Sequence, residues 1–109
     1  MRLLRPEIAA ITRVLGARLK KGSAALYLFG SRTQDHLKGG DIDLLVLAPA
    51  AEIKGLRAEK HFLLAELKEQ IGDQRIDLTL AEPAKARQDP FLARALRAAV
   101  LLKRWGRTP

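Results

Sequence analysis

Two short apolar runs, Leu26 to Phe29 and Ile42 to Leu47, enclose a segment that opens Gly30-Ser31-Arg32 and closes Gly39-Gly40-Asp41-Ile42-Asp43. Runs of this length, rich in Leu, Val, Ile, Tyr and Phe and bounded by glycine, read as buried strands. Strand side chains alternate faces, so Asp41 and Asp43 project to one side while Ile42 and Leu44 point to the other. Two carboxylates about 4 Å apart repel by roughly 4 kcal/mol at an effective dielectric of about 20, so the pair calls for a cation, a shared proton or a nearby arginine. Hard oxygen donors from one edge suit Mg²⁺, which completes its shell with water and substrate phosphates. Taken alone, Asp41 also reads as a turn residue after Gly39-Gly40 and Asp43 as a solvated strand position.

The residues upstream favour the first reading. A glycine at a strand end lets the backbone approach a phosphate, Ser31 adds a hydroxyl and an amide, and Arg32 offers a charged fork to phosphate oxygens. Gly-Ser, nine intervening residues, then Asp-Ile-Asp-Leu resembles the signature of the DNA polymerase beta-like nucleotidyltransferase superfamily. Within it, GSR followed by DIDLLV is most similar to the minimal nucleotidyltransferases, small proteins often paired with a HEPN-domain partner. The chain departs from that family's pattern at Thr33-Gln34, where relatives carry a small residue and glycine, and at Gly40, where they carry serine. Neither departure touches the carboxylates.

At 109 residues the chain is expected to be one domain over 1–109, without a separate substrate-binding domain. It has no cysteine, which excludes a disulfide framework, a thiolate metal site and a cysteine nucleophile. No apolar run approaches the roughly 18 residues that span a bilayer, and no signal-peptide apolar region is evident, so a soluble cytoplasmic protein is expected. The net charge of +8 attracts polyanions, whether nucleotide, nucleic acid or acidic partner. With one Trp and one Tyr, the interleaved aromatic platform of a single-strand binder is missing, and no groove-reading motif supports direct nucleic-acid binding.

Ile8, Ile11, Leu15 and Leu19 predict an amphipathic helix from Pro6 to Lys21, ended by Gly22-Ser23. The strand that follows, Ala24 to Phe29, is apolar on both faces and is expected at the centre of the sheet. Arg32 to Leu37 is compatible with a turn of helix whose amides favour an anion. His36 and His61 lack zinc spacing and read as surface or packing residues, and the loop is not a P-loop. Gly55 to Ile71 predicts a second helix. Arg75 to Leu80 alternates as a third strand, with Asp77 and Thr79 on one face.

By itself Asp77 reads as an exposed residue of an edge strand. The resemblance implies a third carboxylate on such a strand, which makes Asp77 the candidate to complete the metal site and take the acceptor's proton. Ala81 to Gln88 reads as a basic linker, and Asp89-Pro90 as the cap and first turn of a last helix from Phe91 to Trp105. The wide apolar face of that helix either packs wholly on the sheet or leaves Leu101 and Trp105 for a partner, as in a homo- or hetero-oligomer. Arg107-Thr108-Pro109 reads as a frayed tail.

These readings predict an α/β fold ordered helix, strand, helix, strand, helix, strand, helix, and the resemblance implies a mixed sheet. The resemblance further implies transfer of AMP from ATP to an acceptor, with Gly30, Ser31 and Arg32 on phosphates and Asp41, Asp43 and Asp77 on Mg²⁺. The acceptor it implies is a HEPN ribonuclease, which modification would neutralise in an antitoxin role. A non-catalytic nucleotide-binding antitoxin acting by contact alone is the alternative.

Overall fold

A computed structural model describes residues 5–19, 23–29, 42–72 and 75–106. Strands β1 (Ala24–Phe29), β2 (Ile42–Leu47), β3 (Ile76–Ala81) and β4 (Val100–Trp105) form one sheet in the order β3-β2-β1-β4. β2 runs antiparallel to β1 and parallel to β3, and β4 runs antiparallel to β1, so the sheet is mixed. The helices described are α1 (Arg5–Gly16), α2 (Ala50–Ala58), α3 (Lys60–Ile71), α4 (Pro83–Gln88) and α5 (Pro90–Ala98). The result is the expected small α/β fold, with β1 inside the sheet as its two apolar faces require.

Strand alternation sorts the core into two layers. Leu26, Leu28, Ile42, Leu44, Val46, Ile76, Leu78 and Leu80 meet Ile11 and Leu15 of α1, Ile53 and Leu56 of α2, and Leu63 and Leu67 of α3. The intervening residues Tyr27, Phe29, Leu45, Leu47 and Ala81 form a smaller cluster with Ala86 of α4 and Leu92 and Leu96 of α5. The larger layer holds most of the buried apolar surface. Among the described residues, a cleft at Phe29 and Asp43 stays open beside the smaller one.

Several expected boundaries move. α1 ends at Gly16, before Lys21, and the Trp105 indole packs at that point: a Cβ on Gly16 would lie 3.1 Å from the indole nitrogen. The helix expected over Gly55 to Ile71 begins at Ala50 and breaks at Glu59 into two. One straight rod cannot serve both neighbours. α2 contacts β3, where the Arg57 guanidinium donates to the Leu80 carbonyl at 3.1 Å, while α3 packs on α1. Arg18 anchors the break, its Nη1 donating to Glu66 Oε1 at 2.7 Å and its Nε 3.4 Å from Glu59 Oε1.

The basic linker is in fact α4, opened by Pro83 in the first helical turn, where a missing N–H costs nothing. The last helix stops at Ala98. Ala99 is extended, and the residues expected to continue the helix form β4 against β1. The open edge of β1 decides the outcome, since its amides and carbonyls need a ladder partner. The register shifts between Leu26 and Tyr27, which leaves Leu102 as the extra residue of a bulge on β4. Trp105 packs, partly buried, against the larger core, while Leu101 stays 42% exposed.

Candidate active site

The parallel pairing of β2 with β3 sets Asp43 directly opposite Asp77. Residues in register on neighbouring strands, about 4.8 Å apart, project to the same face. On the other flank of β2, Asp43 pairs with Phe29, the last residue of β1. The start of β2 is pinned by the Ile42 amide, which donates to the Arg75 carbonyl at 2.9 Å. Two carboxylates and an aromatic ring thus share one end of the sheet, on the face that α4 and α5 cover only in part. Asp43 is half-buried and Asp77 exposed.

Of the expected site residues, the structure brings Asp43 and Asp77 together. Gly30, Ser31, Arg32 and Asp41 fall within 30–41, outside the described residues, as do Thr33, Gln34, His36 and Gly40. Among the described residues no group of three or more His, Cys, Asp or Glu side chains gathers to hold a metal ion. Asp43 and Asp77 are adjacent hard donors of one charge sign, which fits a divalent oxygen-loving cation; the remaining ligands would have to come from elsewhere. His61 is exposed on α3, its ring centroid 4.0 Å from that of Phe62, in the layer on the opposite face of the sheet.

Beside the carboxylates lies a cleft of about 430 Å³, lined by Phe29 and Asp43 from the sheet and by Phe91, Arg94, Ala95 and Ala98 from α5. The start of α5 is fixed by Asp89, whose Oδ1 accepts from the Phe91 amide at 2.9 Å and the Leu92 amide at 3.3 Å. That cap is the one expected from Asp89-Pro90. Sequence reasoning gave the cleft itself no residue of α5. The available signal is the spacing 91, 94, 95, 98, one row of a helix, distinct from the row of Leu92 and Leu96 that meets the sheet.

In-register carboxylates at one end of a mixed sheet, next to an open cleft, suit metal-assisted transfer of phosphate-bearing groups. The family model for the nucleotidyltransferase domain matches residues 11–102, most of the chain. The chain belongs to this family, and the polymerase beta-like superfamily indicated by its Gly-Ser and Asp-x-Asp motif stands with it. Its general activity is nucleotidyl transfer, with a nucleoside triphosphate as donor. No curated protein matches the chain. Among the described residues no helix is long and apolar enough to cross a membrane.

Proposed function

We propose that the chain transfers AMP from ATP to a hydroxyl on a partner protein, and that the partner is a HEPN-domain ribonuclease neutralised by the modification. The observation that carries the reading is the register of Asp43 against Asp77 in a chain of this family. Asp41, Asp43 and Asp77 would hold Mg²⁺, whose contribution is to offset negative charge on the triphosphate as the bond to pyrophosphate breaks. Gly30 and Ser31 would present amide and hydroxyl donors to the phosphates and Arg32 its guanidinium. Asp77 would accept the proton of the acceptor hydroxyl while that oxygen bonds to the α-phosphorus and pyrophosphate leaves on the opposite side.

Support for a protein acceptor comes from Asp77, which is exposed on the outermost strand, where a bulky surface can reach it. The net charge of +8 favours encounter with an acidic partner. Incubating the protein with a HEPN-domain protein, ATP and Mg²⁺, and weighing that partner by intact mass spectrometry tests the proposal. A gain of one AMP, lost with Asp41→Asn, Asp43→Asn or Asp77→Asn, is the expected result. A partner that is bound and silenced but unmodified would replace transfer with the contact-only antitoxin, and absence of binding would remove both.

A further inference from the structure

The row of α5 that faces the cleft has an unusual composition for a helix packed beside a sheet. Phe91 is 69% exposed, although Leu92 next to it is partly buried in the smaller core. The side chain of Arg94, one turn on, takes part in none of the side-chain hydrogen bonds or ion pairs made by the described residues. Ala95 and Ala98 keep the helix surface low between them, so the cleft is walled by a free aromatic face, a cation and small apolar side chains, with Asp43 opposite. A simple anion would leave the apolar walls unused, and an apolar ligand would strand Arg94. A flat ring system with an anionic end satisfies all of them.

Covalent geometry selects the occupant further. In a nucleoside triphosphate the α-phosphate is joined to the ribose through one oxygen and one methylene, so the nucleoside cannot be far from the carboxylates at which transfer occurs. The cleft walled by Asp43 meets that condition. A second cleft among the described residues, about 540 Å³ and lined by Arg18, Gly55 and Glu59, lies between α2 and the segment after α1, on the opposite face of the sheet. Resting on the reading given under Proposed function, we infer that the α5 cleft takes the nucleoside of the donor, with Phe91 stacked on the base and Arg94 meeting the α-phosphate. Phe91 then discriminates a nucleotide from bare polyphosphate, a task the carboxylates and Arg94 cannot perform.

Calorimetric titration of Mg·ATP and of Mg·tripolyphosphate into wild type, Phe91→Ala, Ala95→Leu and Asp43→Asn tests this, each variant first checked for folding by circular dichroism. Phe91→Ala is expected to weaken Mg·ATP by roughly 5- to 150-fold, the range of one lost base–aromatic stack. Ala95→Leu fills the cleft without altering charge and should act in the same direction. Neither should change the affinity for Mg·tripolyphosphate, whereas Asp43→Asn should weaken both ligands. Because the Phe91 ring is exposed, its removal decides the matter even if the leucine is not accommodated. Phe91→Ala binding Mg·ATP as wild type does, while Asp43→Asn fails to, overturns the inference and leaves the functional reading standing. Equal losses for the two ligands in Phe91→Ala also overturn it. A wild type that binds neither overturns the reading and the inference together.

Discussion

Asp43 and Asp77 are neighbours with different surroundings, one half-buried between Phe29 and its partner, the other exposed at the sheet's edge. Under the proposed function the difference argues for unequal shares in the metal site: Asp43 holding the metal–triphosphate more strongly, and Asp77, the more accessible ligand, also serving the incoming hydroxyl. Asp43→Asn should accordingly abolish the Mg²⁺ dependence of ATP binding. Asp77→Asn should keep most of that binding and slow transfer by roughly 10²- to 10⁴-fold, the usual worth of a general base. Calorimetry beside a single-turnover transfer assay separates the two, and equal loss of binding would refute the unequal shares. Arg32→Ala should weaken triphosphate binding by about 1.5 to 3 kcal/mol, the worth of a charge-assisted contact, while His61→Ala, on the far layer, changes nothing. The strand and face of Asp77 could be read in advance because Ile76, Leu78 and Leu80 alternate with Asp77 and Thr79, while its candidacy beside Asp43 came from the family resemblance. Phe91 could not be read so: until Leu92 and Leu96 are known to meet the sheet, it counts as one more apolar residue of the same helix.

At the scale of elements, α5 is the piece on which the cleft depends, and Asp89 is what fixes its start. Asp89→Ala should cost about 1 kcal/mol of stability, the usual worth of a side-chain cap, measurable as a lower midpoint in urea with an unchanged slope. Its signature, Asp before Pro, was visible in the sequence. The end of the same helix was not. Val100, Leu102 and Trp105 fit a helical stripe continuing from Leu96 and Ala99, and what overrules that pattern is the unpaired edge of β1, a partner remote in sequence. The break at Glu59 was hidden for a related reason: Ile53, Leu56, Leu63 and Leu67 keep helical spacing across it, and only the separate destinations of α2 and α3 require the bend.

For the molecule as a whole, the excess of basic residues sets how partners approach more than how tightly they are held. Association with an acidic partner protein should slow steeply between low and physiological salt, while dissociation changes little, as stopped-flow mixing would register. A rate insensitive to salt would remove charge from the account of recognition. The arrangement of strands has a consequence of another kind. Of the described strands β1 is the first to leave the ribosome, yet one of its edges is covered only by β4, which is made after every other described element. Throughout synthesis the emerging chain therefore carries an apolar strand with an unoccupied side, the sort of template on which neighbouring chains add themselves. The closing segment from Val100 to Trp105 acts as a built-in chaperone for the opening one, and its late arrival marks the interval in which this protein is most exposed to aggregation.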